Sequence, residues 1–308
     1  MPEWKILITD GLGEIGKSIL QAESHVDDRN GISSDELLQV APGYDAFIIR
    51  GRTKLTAAIL KAAANLKVIG RAGVGLDNVD LDSAQEQGIT VLNTPAASSN
   101  SVAELTIAMM FALARRIPAA DRSMKAGEWN KVQLAGIELF GKTLGIIGVG
   151  NIGALVAEKA TNLGMNVLAC DVKCLDEVIR SFGASPSGTE KICAKSDFIS
   201  VHIPMTEKNR GLINQSTIQQ MKTGVYLINT ARGGIIDESA LLEGLNSGKI
   251  AGAALDVFLI EPPGHSDLVS HPNVIATPHI GAQTVEAQSR TSERIAKEVL
   301  AALHSEAP

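Results

Sequence analysis

The sequence contains few aromatic residues and no excess of basic ones. Aromatic residues make up 3% of its 308 positions, and its formal net charge at pH 7 is −6. A nucleic-acid-binding surface usually combines a basic patch with interleaved aromatic side chains, and the sequence has neither. We therefore expect no nucleic-acid partner, although a few local arginines could still bind a small anionic substrate.

Cysteine is also scarce. Cys170, Cys174 and Cys193 have neither the C-x-x-C spacing of a redox motif nor a histidine partner at zinc-finger distance. They are typical of reduced, structural thiols in a cytosolic protein. We expect neither a disulfide nor a metal site.

No apolar run is long enough to cross a membrane. The most apolar stretch, Leu105 to Ala114, is about half of the necessary length, and Glu104 and Arg115 flank it. The N-terminal residues MPEWKILITD lack the apolar core and the cleavage site of a signal peptide. These absences predict a cytoplasmic protein without membrane contact.

The length and the residue pattern predict two α/β domains. A chain of 308 residues exceeds what one hydrophobic core usually organises. Strand-like runs alternate with helical segments, which indicates doubly wound parallel sheets with helices on both faces. Near the N-terminus, the predicted strands are residues 5–9, 45–50, 67–73 and 89–95.

The strongest predicted helix, Ser101 to Arg116, connects the two domains. Ser101 is expected to cap it, with Glu104 at the capping-box position three residues later. Helical character is expected to resume from Asp121 to Lys125. We place one domain boundary near residue 97.

Residues 142 to 171 have the order strand, glycine-rich turn, helix, strand and acidic residue. A dinucleotide-binding βαβ unit has this order. Gly148 allows the tight turn, Gly150 lets the backbone approach a pyrophosphate at the helix N-terminus, and Gly153 permits close packing of helix and strand. The alternative is a glycine-rich turn in an unrelated α/β protein.

Asp171 closes this unit, roughly 20 residues after the glycines. Its carboxylate would accept hydrogen bonds from the adenosine ribose and repel a ribose 2′-phosphate. The unit therefore predicts NAD rather than NADP as cofactor, a preference that the nearby Lys173 weakens slightly.

Three positively charged or titratable residues end later strands of the predicted sheet. Arg232, in NTARGG, offers a planar cation that suits a carboxylate, and the alternative is a structural salt bridge. His279, in ATPHIGA, could act as a general base near neutral pH. His202, in SVHIP, has the same kind of position and stays a second candidate for that role.

Glu261, in DVFLIEPP, is a candidate partner of the histidine. A carboxylate beside an imidazole fixes its tautomer and stabilises the imidazolium. Pro262 and Pro263 stiffen the surrounding loop. A lone glutamate is usually a solvated surface charge, so only its combination with Arg232 and His279 favours this role.

Four motifs in this order, GVGNIG, NTARGGIIDE, AALDVFLIEPP and TPHIGA, resemble those of the D-isomer-specific 2-hydroxyacid dehydrogenases. In the first domain, RGRTKLT, KVIGRAGVGLDNVD and NTP with SVAELT are similar to those family members that oxidise 3-phospho-D-glycerate. The resemblance covers nearly the whole chain.

The resemblance implies two Rossmann-like or flavodoxin-like domains, of which the outer one is discontinuous. Residues 1–97 and 282–308 would form the substrate-binding domain, and residues 98–281 the NAD-binding Rossmann domain. The terminal helix, from about residue 282, would pack on the N-terminal domain. Long helices of the NAD-binding domain would form a homodimer, with a tetramer as the alternative.

The resemblance also implies roles for individual residues. Arg232 would bind the substrate carboxylate and the C2 oxygen, His279 would be the acid/base, and Glu261 would pair with His279. The implied NAD site comprises Gly148, Gly150, Asn151, Ile152, Gly153, Asp171, His202, Pro204, Thr230, Ala231, Arg232, Asp256, His279 and Gly281.

Residues of the first domain would bind the remainder of the substrate. They are Arg50, Lys54, Arg71, Gly73, Val74 and Gly75, with Arg50 expected at the substrate phosphate. One departure from the family pattern concerns the AASSNS loop, where Ser98 stands at the usual place of an asparagine and Asn100 is displaced. The substrate is therefore less firmly predicted than the reaction class.

The implied function is NAD-dependent oxidation of 3-phospho-D-glycerate to 3-phosphohydroxypyruvate in serine biosynthesis. The alternatives are a hydroxypyruvate or glyoxylate reductase, a D-lactate-type enzyme, and an NAD-sensing, corepressor-like binding protein. The sequence stops at Pro308, without the C-terminal regulatory domains of longer relatives. Feedback by serine through such a domain is therefore not expected.

Overall fold

A computed structural model describes residues 4–174 and 176–305, which divide into two compact units. Residues 4–98 and 282–305 form the first unit, and Ser99–Gly281 the second. Each unit is a parallel sheet with helices packed on both faces. The predicted fold class, doubly wound α/β with a discontinuous outer domain, is confirmed.

The first unit has the strand order of a flavodoxin-like fold. Among its described residues, the sheet order is β2-β1-β3-β4-β5, all parallel. Its strands are β1 Trp4–Ile8, β2 Ser24–Asp28, β3 Ala46–Ile49, β4 Val68–Arg71 and β5 Thr90–Asn93. Its helices are α1 Glu14–Gln21, α2 Ser34–Val40, α3 Ala57–Ala62, α4 Leu81–Glu86 and the terminal α13 Val285–Ser305, with a 3-10 turn at Ala41–Gly43.

The second unit has a Rossmann strand order with one further strand. Its described strands run β8-β7-β6-β9-β10-β11-β12, so the order reverses between β6 and β9. The strands are β6 Thr143–Ile147, β7 Asn166–Cys170, β8 Ser185–Pro186, β9 Phe198–Val201, β10 Val225–Asn229, β11 Ile250–Leu255 and β12 Val274–Ala276. The helices are α5 Ser99–Ala114, α6 Ile117–Lys125, α7 Asn151–Asn162, α8 Asp176–Ser181, α9 Thr189–Lys195, α10 Gln215–Gln220, α11 Glu238–Asn246 and α12 Asp267–Ser270.

The long helix α5 begins two residues earlier than predicted, and the expected capping role of Ser101 is wrong. Ser101 lies inside the first turns of α5 and is buried. Its hydroxyl donates instead to the carbonyl oxygen of Gly281, at 2.6 Å. Glu104 accepts from the Asn100 side chain and so forms no capping box with Ser101.

Helix α13 completes the core of the first unit, as the family resemblance implied. Its apolar face, which includes Ile295 and Val299, is fully buried against the sheet residues Ile6 and Ile48. Gly16 allows α1 to pack closely against α13, because a Cβ at this position would lie 2.3 Å from the Ser292 hydroxyl. Within the described residues, no helix is long and apolar enough to cross a membrane.

Candidate functional site

The glycine-rich turn joins β6 to α7 beside the point where the strand order reverses. Gly148 has a φ of +98°, and a Cβ there would meet the carbonyl oxygen of His202 at 2.6 Å. A Cβ on Gly153 would lie 2.0 Å from the carbonyl oxygen of Gly148. Both positions therefore require glycine for the fold itself.

Gly150 differs from these two glycines because its surroundings are open. A Cβ there would meet no atom within 4 Å, and the backbone φ of −80° suits any residue. Gly150 caps α7 without a side-chain hydrogen bond, and Asn151 and Ile152 form the first turn. The open space and the N–H groups at this helix N-terminus fit the pyrophosphate of a dinucleotide.

Asp171 follows β7 and holds the turn from the other side. Its Oδ2 accepts a hydrogen bond from the Val149 backbone N–H at 2.7 Å, and its Oδ1 from the backbone N–H of Lys173 at 2.7 Å. A cavity of ≈ 290 Å³ adjoins this carboxylate, with Ile179 and Pro186 in its wall. An acidic group beside a partly apolar cavity fits an adenosine.

His202 follows β9 and lies against the glycine-rich turn. Its Nε2 is 2.8 Å from the hydroxyl of Ser200, and its Nδ1 is buried without a hydrogen-bond partner among the described residues. Burial lowers the pKa of His202 to about 4, so the imidazole is neutral at pH 7. The unsatisfied nitrogen beside the turn is a further polar contact that a bound dinucleotide could use.

Arg232 lies just after β10, in a turn that a neighbouring asparagine holds. Asn229 donates to the Arg232 carbonyl oxygen at 2.8 Å and accepts from the Ala231 N–H at 3.0 Å. The guanidinium Nη1 donates to the Ala231 carbonyl oxygen at 2.7 Å. Thr230 is buried, and its hydroxyl is 2.9 Å from that of Thr106 in α5.

Glu261 and His279 are hydrogen-bonded to each other. The His279 Nδ1 lies 2.7 Å from the Glu261 Oε2, while the Glu261 Oε1 accepts from the Phe258 N–H at 3.1 Å. Burial opposes ionisation of Glu261. Even so, its hydrogen bonds from His279 and Phe258 and the charges of His279 and Arg232 hold its pKa below the usual range. An ionised Glu261 requires the proton on Nδ1, which leaves Nε2 as the basic nitrogen.

The backbone at His279 is in the left-handed region, with φ of +52°. The buried Asp256 holds this loop through both carboxylate oxygens: Oδ1 accepts from the Thr277 hydroxyl at 2.6 Å and the Ile280 N–H at 2.8 Å, and Oδ2 from the Gly281 N–H at 2.8 Å. A left-handed backbone at a residue other than glycine costs roughly 1–3 kcal/mol. The hydrogen bonds to Asp256 stabilise the loop in this conformation.

In the first unit, Arg50 and Lys54 lie after β3, whereas the loop from Arg71 to Gly75 follows β4. Lys54 is exposed and Arg50 is half-buried. Gly73 has a φ of +150°, and the Arg71 guanidinium occupies the place of a Cβ. The carbonyl oxygen of Val74 accepts from Asn93 at 2.6 Å.

Several supporting residues were missed from the sequence. Thr277 and Asn229 hold the loops of His279 and Arg232, and Ser200 contacts His202. Each is a small polar residue at or just beyond the end of a strand, which is the one local signal that could have indicated them. Pro204, predicted at the cofactor site, is exposed, and its carbonyl oxygen accepts from Asn209.

A Rossmann-type domain with a carboxylate-paired histidine and an arginine at its strand ends has the arrangement of a nicotinamide-dependent dehydrogenase. Residues 107–281 match the family model described as the NAD-binding domain of D-isomer specific 2-hydroxyacid dehydrogenases. The chain belongs to this family, and its cofactor is NAD.

Individual relatives agree with this assignment. A curated D-3-phosphoglycerate dehydrogenase of Methanocaldococcus jannaschii is 46% identical over 98% of this chain and 58% of its own length. A glyoxylate reductase structure from Paecilomyes thermophila is 30% identical with a TM-score of 0.90, covering 98% of this chain and 96% of that one. The structure of an Aquifex aeolicus D-lactate dehydrogenase complexed with NAD and lactic acid is 32% identical, with a TM-score of 0.86. The match covers 98% of this chain and 96% of that one.

The chain spans about half the length of the curated relatives it matches. Nearly all of this chain is aligned in each of these comparisons. The matched region therefore includes every predicted site residue, from Arg50 to Gly281.

Proposed function

We propose that this protein catalyses NAD-dependent oxidation of 3-phospho-D-glycerate to 3-phosphohydroxypyruvate, a step of serine biosynthesis. The observation that carries the proposal is the hydrogen bond between Glu261 and His279 on the NAD-binding unit, with the Arg232 charge close enough to influence Glu261. The substrate is the one in the name of the Methanocaldococcus jannaschii relative, which is 46% identical.

In this mechanism, each of three residues has one task. Arg232 binds the substrate carboxylate and orients C2, a contribution of positioning. His279 removes the C2 hydroxyl proton at Nε2, because its Nδ1 already donates to Glu261. Glu261 stabilises the resulting imidazolium. When bound, NAD supplies the acceptor for the hydride that leaves C2.

Arg50 is our candidate for the substrate phosphate. Its guanidinium is half-buried and makes no hydrogen bond or ion pair within the described residues. Burial lowers the pKa of Arg50, although arginine stays charged at every relevant pH. The guanidinium feels the Asp10 charge without forming an ion pair with it, and a partly desolvated cation of this kind favours a bound anion.

Solved relatives that act on unphosphorylated substrates supply the second candidate function. They bear the names glyoxylate reductase and D-lactate dehydrogenase, at 30% and 32% identity. The lower identity makes a reductase of this kind the alternative. An NAD-binding regulatory protein is the third.

A substrate comparison tests the proposal. NADH formation is measured with 3-phospho-D-glycerate, D-glycerate and D-lactate, and NADH consumption with hydroxypyruvate and glyoxylate. We expect kcat/KM for 3-phospho-D-glycerate to exceed that for D-glycerate by at least about 100-fold, because a site built for a charged group rejects the analogue that lacks it. Preference for an unphosphorylated substrate would support the reductase, and no turnover at all would support the regulatory protein.

We also propose that the protein is a homodimer. Within residues 117–140, five large apolar side chains are strongly exposed: Ile117 54%, Met124 56%, Trp129 78%, Val132 82% and Phe140 76%. Exposed apolar residues at this density mark a protein interaction surface. A second copy of this chain is the simplest partner, because most soluble oligomers are symmetric homo-oligomers.

A further inference from the structure

We propose that Asp10 is a positioning residue that sets the backbone from which Arg50 binds the substrate phosphate. The inference rests on the phosphate role proposed above for Arg50. It assigns to Asp10 a part in substrate recognition, although Asp10 carries no charge complementary to the substrate.

Asp10 and Arg50 meet at the strand-order reversal of the first unit. Asp10 follows β1 and Arg50 follows β3, and these two strands are neighbours on either side of the point where the sheet order changes direction. Ligands of open α/β sheets bind at this place, outside the carboxyl ends of the strands. The position is therefore one at which a recognition residue is expected.

The Asp10 carboxylate accepts several hydrogen bonds from the loop that carries Arg50. Its Oδ2 accepts from the backbone N–H of Arg50 at 2.7 Å and of Thr53 at 3.0 Å, and its Oδ1 accepts from the Thr53 hydroxyl at 2.6 Å. The Asp10 side chain is only 4% exposed. Burial opposes its ionisation, but these hydrogen bonds and the Arg52 charge hold the pKa of Asp10 below the usual range.

Asn78 holds the same loop from its other side. Its Nδ2 donates to the carbonyl oxygens of Arg50 at 2.8 Å and of Thr53 at 2.6 Å. The N–H and the C=O of Arg50 are thus both engaged by side chains, and so are those of Thr53. These four hydrogen bonds hold the loop backbone at Arg50 and at Thr53.

The neighbouring Arg52 has a structural task, which leaves the anion to Arg50. The Arg52 Nη2 donates to the Thr9 carbonyl oxygen at 2.6 Å and is 3.0 Å from the Asp10 Oδ1. Its Nη1 donates to the Ile32 carbonyl oxygen at 3.2 Å. Arg52 is therefore the ion-pair partner of Asp10, whereas the Arg50 guanidinium feels the Asp10 charge without an ion pair and can still bind a phosphate.

The variant Asp10→Asn separates positioning from charge, because the two effects have opposite signs. Removing a negative charge near an anion site should strengthen phosphate binding if charge alone matters. Loss of an acceptor for the Arg50 loop should weaken binding, since a displaced guanidinium loses its charge-assisted hydrogen bonds to the phosphate. The direction of the change in KM therefore decides between them.

The experiment compares Asp10→Asn, Arg50→Ala and the control Asp45→Asn, with 3-phospho-D-glycerate and D-glycerate as substrates. Asp45 belongs to the same unit and accepts the Lys5 N–H at 2.9 Å, at the opposite ends of β1 and β3. For Asp10→Asn, we expect KM for 3-phospho-D-glycerate to rise at least about 10-fold with kcat within about 2-fold, and KM for D-glycerate to stay unchanged. The control should leave both constants unchanged.

The possible outcomes separate this inference from the function on which it rests. If Arg50→Ala raises KM equally for both substrates, the phosphate role of Arg50 is wrong, and the inference about Asp10 is wrong with it. If Arg50→Ala is selective and Asp10→Asn leaves KM unchanged or lowers it, only the inference is overturned. Should Asp10→Asn fail to fold, Thr53→Val replaces it, because it removes only the 2.6 Å hydrogen bond to Oδ1, with Thr53→Ser as the conservative control.

Discussion

His202 and His279 both follow strands of the second unit, yet their imidazoles have different partners. His279 is half-exposed and donates from Nδ1 to a carboxylate. His202 shares a hydrogen bond with a serine, and burial lowers its pKa to about 4. A nitrogen of such low basicity is a poor acceptor for an alcohol proton at neutral pH. These differences support our proposal that His279 rather than His202 is the base, a choice that the residue pattern alone left open.

We predict that His279→Asn lowers kcat at least about 100-fold, the lower range for loss of general acid–base catalysis. The affinity for NAD, measured by calorimetry, should stay nearly unchanged. The exposed His265 is the matched control, and His265→Asn should keep full activity. Near-normal turnover of His279→Asn would exclude this histidine as the base.

The low pKa of the buried His202 should make the stability of the protein depend on pH. Its pKa is about 4 in the folded chain and near 6.5 when unfolded, so only the unfolded state binds the proton between these values. Stability should therefore fall as the pH decreases from about 6.5 towards about 4, and His202→Asn should reduce that fall. Urea midpoints of both proteins across this range provide the measurement, and parallel pH profiles would contradict the expectation.

The βαβ unit β6–α7–β7 combines two kinds of glycine. Gly148 and Gly153 are required by backbone contacts within the unit, whereas Gly150 faces open space. The contacts of Gly148 and Gly153 agree with the tight turn and the close helix packing that the sequence predicted, because both are local requirements. The contact of Gly150 with a pyrophosphate stays a prediction. Substitutions at Gly150 and at Gly153 should therefore have different effects, the first on cofactor binding and the second on stability.

We predict that Gly150→Ala weakens NAD binding at least about 10-fold and changes stability by less than about 1 kcal/mol, because its methyl group would enter only open space, where we propose that the pyrophosphate binds. Gly153→Ala should instead destabilise the protein by about 1–3 kcal/mol, because its Cβ would lie 2.0 Å from a carbonyl oxygen. Calorimetric titration with NAD and thermal unfolding measure both effects. Equal loss of stability in the two variants would refute the distinction.

Strand β2 and the true partner of Ser101 could not be predicted from the sequence, because neither depends on a local residue pattern. Strand β2, Ser24–Asp28, is polar and lies at the edge of its sheet, so it has no apolar run to identify it. Ser101 looked like a helix cap because capping patterns are local, but its partner is Gly281, 180 positions away. Contacts of this separation depend on the completed fold, and no local pattern predicts them.

The exposed apolar side chains of residues 117–140 are not explained by packing within the described part of a single chain. Trp129 is 78% exposed, and tryptophan is among the residues that contribute most to protein interfaces. We predict a dimer by analytical ultracentrifugation at micromolar concentration. Trp129→Gln should weaken the association at least about 10-fold.

The control for this prediction is Val285→Gln, since Val285 is 84% exposed at the start of α13, in the first unit. It should leave the association unchanged. A wild-type chain that sediments as a monomer at tens of micromolar would contradict the proposed dimer, whatever the behaviour of the variants.

The discontinuous first unit has a consequence for the newly synthesised chain. Ile6, Ile48 and Val68 are covered by α13, which emerges from the ribosome about 190 residues after the rest of their unit. At about 5–20 residues per second, this face of the sheet stays uncovered for roughly 10 to 40 s while the whole NAD-binding unit is translated. The NAD-binding unit can thus fold before its neighbour is complete, and a chaperone that binds nascent chains should associate with the first unit during that interval.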